Sequence, residues 1–236
     1  MTTQDPTPCL VITGASRGIG FATAERFLTA GYRVINISRT AAPNPDIVQL
    51  EADLFDPAWG EAVAADLNSL VDGASKIVLV HNAALQAHGG VDQLDAQTLR
   101  KVMELNVIAP TILNQLLLPA MKAGSSIIYI GSTLSLKATA NVAAYVTSKH
   151  ALLGLMRSTC QDLGGRGIHT ACVCPGFTDT EMLRSYGGEV LEQLAQASTI
   201  GRLVQPQEIA ESIWFCASNP AVNGTYLRAD LGLIEH

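Results

Sequence analysis

Short apolar runs that do not alternate with polar residues recur along this chain, each followed by a stretch of helical spacing. That rhythm restricts the fold more than any one motif. Residues 9–13 lead into a helical pattern in which Ile19, Ala22, Phe27 and Ala30 point inward and Gly31 marks the stop. Further apolar runs follow at 33–38, 47–51, 76–80, 126–130, 168–174 and 224–230. Between them, Pro57 opens a helix to about Val71. A helical region covers about 95–123 with breaks expected at Pro110 and Pro119. Two more helices start near Asn141 and Pro206. Strands that are apolar on both faces indicate a parallel sheet covered on both sides by helices. Right-handed crossovers then give an α/β, doubly wound sheet with its ligand crevice beyond the carboxyl ends of the strands. Ser16, Arg39, Asp53, Asn82, Ser132 and Thr180 all fall at those ends.

The bulk numbers exclude several function classes. At 236 residues the chain can bury a substantial core, and no repeat, low-complexity tract or linker divides it, so one domain over 1–236 is expected. Hydrophobic residues make up 48% and mean hydropathy is +0.24, which argues against disorder. The net charge of −6 comes with no basic cluster, so no nucleic-acid partner is expected. No run of 18 apolar residues is present, and residues 1–8 are polar without a signal-like apolar core. A cytoplasmic protein with no membrane partner is therefore expected. The five cysteines are read as reduced packing residues. Cys172 and Cys174 share one strand face, but no second pair completes a zinc site, so no metal is expected.

Two stretches carry chemistry. Gly14-x-x-x-Gly18-x-Gly20, between a strand and a helix, suits a pyrophosphate: glycines permit close backbone approach, and the helix N-terminus offers unpaired N–H groups. Further on, Ser148, Lys149, Leu152 and Met156 lie three, four, seven and eleven residues after Tyr145, on one helix face. A phenol, a hydroxyl and an ammonium thus continue an inward apolar stripe. Burying that lysine is costly unless something anionic or hydroxyl-rich meets it.

Thr13-Gly14-Ala15-Ser16-Arg17-Gly18-Ile19-Gly20, Asn82-Ala83-Ala84, Asn106, Ser132, Tyr145-x-x-x-Lys149 and Pro175-Gly176 together resemble the short-chain dehydrogenase/reductase family, in order and over essentially the whole chain. The resemblance implies a Rossmann-type fold with a seven-stranded parallel sheet. Within it, 9–125 would mainly bind coenzyme, and 126–236 would carry the catalytic residues and a substrate lid at about 179–200. It implies Tyr145 as general acid/base, Ser132 as the hydroxyl orienting a substrate carbonyl, Lys149 on the nicotinamide ribose and Asn106 in a water-linked proton relay. Coenzyme contacts would come from Gly14, Ser16, Arg17, Gly18, Ile19 and Gly20, and from Asp53 and Leu54 near the adenine. Asn82, Ala83, Pro175, Gly176, Thr178 and Thr180 complete that set. Asp53 and Thr180 also read as helix caps. His81 and Ala84 depart from the family's Asn-Asn-Ala-Gly, and His81 reads as a packing residue. Met182, Leu183 and Tyr186 give the lid an apolar cast, with Gln86 and His88 within reach of substrate or solvent.

Physics alone supports the tyrosine assignment. A free tyrosine has a pKa of ~10, so a base at neutral pH must lose about 4 kcal/mol of proton affinity. A nearby Lys149 ammonium and an oxidised nicotinamide both act in that direction. NADP is the coenzyme expected. The second strand ends in Ile37-Ser38-Arg39-Thr40, without the carboxylate that accepts from ribose hydroxyls, and Arg39 can meet a 2′-phosphate. The substrate is a small carbonyl compound or its alcohol. 3-Oxoacyl thioester reduction and a catalytically idle, nucleotide-sensing protein are the alternatives. Ala144, Ala151, Leu155 and Ser158 on the far face of the tyrosine helix point to a homotetramer, with a dimer as the other option.

Overall fold

The computed structural model describes residues 6–233, so residues 1–5 of the polar start lie outside the described part. Seven strands, β1 (Cys9–Thr13), β2 (Arg33–Ser38), β3 (Val48–Glu51), β4 (Ile77–His81), β5 (Ser126–Ile130), β6 (His169–Pro175) and β7 (Thr225–Ala229), form one sheet. Their order is β3-β2-β1-β4-β5-β6-β7, and every pairing is parallel. The direction of winding reverses between β1 and β4, which opens a crevice at their carboxyl ends. The α/β doubly wound class expected from the apolar runs is the one observed.

Strands β1, β4, β5 and β6 are buried along their whole length, which is why their sequences do not alternate. Successive side chains feed two separate cores. Val11, Leu79 and Tyr129 pack with Val63 of α2 (Trp59–Val71), Leu113 of α4 (Ala109–Leu117) and Leu152 of α5 (Ala143–Asp162). Ile12, Val80 and Ile128 pack with Phe27 of α1 (Gly18–Thr29) and Ile213 of α8 (Pro206–Ser218). The remaining helices are α3 (Ala96–Met103), α6 (Glu181–Arg184) and α7 (Gly188–Gln196).

Several expectations need correction. Pro110 does not break its helix: a π turn, Glu104–Ile108, joins α3 to α4 and places Pro110 in the first turn of α4, where its missing donor is tolerated. The break expected at Pro119 is present, since α4 ends at Leu117 with Leu118 as its C-cap. Helix α5 starts at Ala143 because Asn141, at φ 65°, is left-handed. Helix α2 starts at Trp59, after Asp56 Oδ1 accepts from the Ala58 N–H. Ala144 does not face outward; it is 1% exposed, on a helix against which the short turn Thr133–Ser135 and α3 both pack. Ala151 and Leu155 are half-buried, and only Ser158 of that face is exposed.

Candidate active site

The glycine turn is shaped by two different demands. Gly14 and Gly18 have φ of 71° and 56°, where only glycine is unstrained. Gly20 has an ordinary backbone, but a Cβ there would lie 2.3 Å from Gly14 O and 2.5 Å from Asn82 Nδ2. No side chain caps α1, whose first N–H groups are therefore left for an anion. The turn is held from behind by Asn36, fully buried in β2. Its Oδ1 accepts from Ala15 N at 2.8 Å, and its Nδ2 donates to Ser38 Oγ at 2.9 Å and Gln49 Oε1 at 2.7 Å. Asn82 closes the other side, donating through Nδ2 to Thr13 O and Gly14 O at 2.9 and 3.1 Å. Thr13 Oγ1 in turn accepts from the N–H groups of Asn82 and Ala83.

A cleft of about 1040 Å³ lies over these strand ends. Gly14, Ser16, Arg17, Gly18, Ile19 and Gly20 line it at the turn, Ser38 and Arg39 after β2, and Asp53 and Leu54 after β3. Asn82 and Ala83 after β4, and Pro175, Gly176, Thr178 and Thr180 after β6, complete that wall. Asp53 caps the turn that follows it, its Oδ1 accepting from Phe55 N at 3.1 Å and its carbonyl from Asp56 N at 2.9 Å, ahead of α2. Thr180 stands at the cap position of α6 but makes no side-chain capping bond. Arg17 forms an exposed ion pair with Glu181 at 2.9 Å, which engages it with the lid. The Ser38 hydroxyl donates to Thr40 O at 2.6 Å.

Ser132, Tyr145 and Lys149 meet on the same wall, whereas Asn106 sits behind it. Lys149, 2% exposed, donates from Nζ to Ile130 O at 2.7 Å and stands 5.4 Å from the centre of the Tyr145 ring. Ser132 Oγ accepts from Leu134 N at 3.1 Å and lies in hydrogen-bonding reach of the Tyr145 hydroxyl. Burial pushes the Tyr145 phenol up to about 12, against a smaller downward pull from Ser132. This is opposite to the lowering expected from Lys149, because desolvation dominates and the lysine is turned toward the Ile130 carbonyl. The phenol consequently keeps its proton through neutral pH. Burial also lowers Lys149 to about 8, with Cys172 and Cys174 acting in the opposite sense.

Asn106 lies in the π turn. Both its amide hydrogens are engaged, by Leu85 O at 3.0 Å and Ser148 Oγ at 2.9 Å, and its Oδ1 accepts from Leu85 N. Ser148 Oγ passes the link on to Tyr145 O at 2.8 Å. His81 is a packing residue, as expected. Its Nε2 donates to Asn114 Oδ1 at 2.8 Å, Asn114 donates to Tyr129 Oη, and Tyr129 reaches Thr159. Over the cleft, α6, α7 and the turn between them present Met182, Leu183, Tyr186, Val190 and Leu194, while Gln86 lines the facing edge. His88 reaches the lid instead of the cleft wall, with Nε2 2.8 Å from Tyr186 Oη. Asn36 is a functional support that sequence reading missed, and Ser148, read only as part of the Tyr145 face, turns out to be the partner of Asn106. Asn36 did leave a signal, an amide inside the apolar run Val34-Ile35-Asn36-Ile37.

The chain resembles known proteins along nearly all its length. A family model described as enoyl-(acyl carrier protein) reductase matches residues 14–234. Cis-4-hydroxycyclohexanecarboxylate dehydrogenase from Sinomonas cyclohexanicum is 32% identical over 236 residues, covering 94% of both chains. The 3-oxoacyl-acyl-carrier-protein reductase FabG of Salmonella typhimurium is 30% identical over 237 residues, 94% of this chain and 96% of that one. The crystal structure of a blue fluorescent protein from a metagenomic library, in complex with NADPH, matches with a TM-score of 0.87 and 28% identity, over 98% of this chain and 100% of that one. Likeness of this extent, joined to a Tyr145–Lys149 pair set beside Ser132 over a glycine turn, shows that the chain is an oxidoreductase of the short-chain dehydrogenase/reductase family.

Proposed function

We propose that the protein is an NADP-dependent oxidoreductase that interconverts a ketone or aldehyde and its alcohol, with Tyr145 as general acid/base. The observation that carries this reading is the convergence of Ser132, Tyr145 and Lys149 on one wall of the cleft that the glycine turn opens. The residues fit a dinucleotide: Gly14 and Gly18 supply the turn, Gly20 admits close backbone approach, and uncapped α1 faces the pyrophosphate. Lys149 has three donors, of which Ile130 O takes one, leaving others for ribose hydroxyls. A bound nicotinamide would supply or accept the hydride.

The chain handles the proton. In the reductive direction Tyr145 Oη gives its proton to the carbonyl oxygen, and the proton-retaining phenol described above is in the right state to do so. Ser132 Oγ, already accepting from Leu134 N, has its own hydrogen to donate to the same oxygen. The Lys149 charge stabilises the phenolate left behind. Asn106, acting through Ser148, holds the first turn of α5 in place. Arg39 on the cleft wall, with no carboxylate at Ser38, favours a 2′-phosphate. The related fluorescent protein that carries NADPH supports the same choice.

The apolar lid suits a small or cyclic apolar ketone, and the Sinomonas relative, a cyclohexane-ring dehydrogenase by name, agrees. 3-Oxoacyl thioester reduction is the second reading, favoured by the FabG relative. The lid favours it less, since Arg184 is spent on Asp179 at 2.6 Å and Arg17 on Glu181, which leaves neither to greet an acidic carrier protein. Tyr145→Phe tests the core of the proposal. It should abolish NADPH-dependent reduction across a panel of carbonyl compounds while coenzyme binding and thermal stability stay intact. Retention of more than about a tenth of kcat, a loss under about 1.4 kcal/mol, refutes the acid/base role.

A further inference from the structure

One arginine stands between the coenzyme turn and the lid. Arg17 precedes α1 inside the glycine turn, and its Nη1 donates at 2.9 Å to Oε2 of Glu181, the first residue of α6. The lid is rooted on that turn: the Thr180 methyl lies 3.3 Å from where a Cβ of Gly18 would stand. Just before it, Asp179 N donates to Val204 O at 2.8 Å and ties the chain to the body. Glu181 is thus the point at which the lid leaves its anchored root. Its partner belongs to the turn that offers uncapped α1 to a phosphate, and both residues line the cleft.

The contact is built to be given up. Arg17 spends a single nitrogen on Glu181, out of a fork that carries several N–H donors. The neighbouring lid pair is different: Arg184 grips Asp179 with Nε and Nη2, at 2.6 and 3.0 Å. Arg202 likewise grips Glu208 with two nitrogens, each at 2.7 Å. The Arg17 and Glu181 side chains are 72% and 66% exposed, so water and salt weaken their attraction. A phosphate accepts from a guanidinium through two parallel bonds, which a single-pronged carboxylate contact does not match. We infer that Glu181 competes with a coenzyme phosphate for Arg17, so that coenzyme binding and the Arg17 latch on the lid exclude one another. The inference rests on the coenzyme-binding reading given above.

Competition of this kind is reciprocal. Coenzyme loosens the latch by some factor, and loss of the latch tightens coenzyme by the same factor. An exposed pair sets that factor at about two- to fivefold. Once Arg17 turns to a phosphate, the Glu181 carboxylate stands beside a second anion, and their repulsion favours movement of α6 away from the turn. The Tyr186–His88 contact still holds the turn beyond α6, so the latch governs the root of the lid and not its tip.

Coenzyme affinity and lid cleavage test this. Glu181→Gln removes the competing charge, so Kd for NADPH, read by nicotinamide fluorescence, should fall about two- to fivefold. Tightening of NADPH alone assigns the contact to the 2′-phosphate, and equal tightening of NADH assigns it to the pyrophosphate. Unchanged or weaker binding of both overturns the inference. Arg17→Ala should weaken coenzyme binding, and adding Glu181→Gln to it should change Kd no further. Wild-type affinity in Arg17→Ala, or a gain from Glu181→Gln as large without Arg17 as with it, overturns the exchange through Arg17. Chymotryptic cleavage within 181–196 reads the latch with no coenzyme added. It should be about two- to fivefold faster in either single variant, and equal rates in all three proteins overturn the latch. Both side chains are exposed, so the variants should keep the wild-type Tm, and faster cleavage then reports the lid alone. A wild type that bound neither coenzyme would remove the functional reading, while the cleavage rates would still decide whether Arg17 holds the lid.

Discussion

The floor of the cleft and its lid are built on opposite principles. Below Tyr145, seven residues of α5 are buried, Ser148 and Lys149 among them, and its polar groups there are tied to β5 or the π turn by bonds of 2.7–3.0 Å. Above it, α6 and α7 have no buried residue. The lid is fastened by the exposed pairs Arg17–Glu181 and Arg184–Asp179, by the Tyr186–His88 contact and by single bridges at Thr178–Val204 and Ser198–Leu233. Exposed pairs of this kind contribute about 0–1 kcal/mol each, whereas a buried network is costly to disturb at any one member. A floor that cannot shift keeps the proton donor aligned; a lid that opens cheaply admits and releases substrate.

The largest test of that contrast uses acid. His81, buried in the floor network, is lowered by desolvation from 6.5 to about 4. Because the folded value lies below the unfolded one, the neutral ring contributes its stability above about pH 6.5, and that contribution is lost as the pH falls toward 4. The span corresponds to roughly 3 kcal/mol. Chemical denaturation between pH 7 and 4 should show this loss in the wild type, while His81→Asn, which has no titrating ring, should lose correspondingly less. Parallel curves for the two proteins would mean that the floor is not specially sensitive through this residue.

Coenzyme choice is the intermediate case, at a rim where Arg39 touches the cleft but Ser38 is anchored to Asn36 and Thr40. A charge-assisted hydrogen bond contributes about 1.5–3 kcal/mol, so Arg39 should favour NADPH over NADH by roughly tenfold to a hundredfold in kcat/KM. Ser38→Asp combined with Arg39→Leu should erase or reverse that ratio. Equal kcat/KM for the two coenzymes in the unmutated protein would refute the assignment.

The same contrast explains what could be read from the chain. The strands and the glycine turn were legible because both are local: apolar runs and positive-φ glycines announce themselves within a few residues. Tyr145, Ser148 and Lys149 were legible as one face because helical spacing is local too. The Asn36 brace was not legible, since it depends on which strand lies beside which. The balance at Tyr145 in the protein without coenzyme depends on packing for a related reason. Sequence places a lysine four residues away, but only packing shows its ammonium turned to Ile130 O and the phenol desolvated. Pro110 likewise looked like a break because a π turn has no simple sequence signature.

The smallest expected effect belongs to the lid. Tyr186 Oη meets His88 Nε2 at 2.8 Å, with the rings edge to face at 5.6 Å, and this contact links the lid to the loop after β4. Both residues are exposed, so water replaces the hydrogen bond when it opens, and its net contribution is about 0.5–1 kcal/mol. Tyr186→Phe keeps the ring contact and deletes only the hydroxyl. KM for the carbonyl substrate should therefore rise about two- to fivefold, with kcat within about twofold of wild type. Thermal stability should not change, because no buried group loses a partner. A fall of several degrees in Tm would show that the lid is packed as firmly as the floor, and the division between a rigid base and a lightly held cover would have to be abandoned.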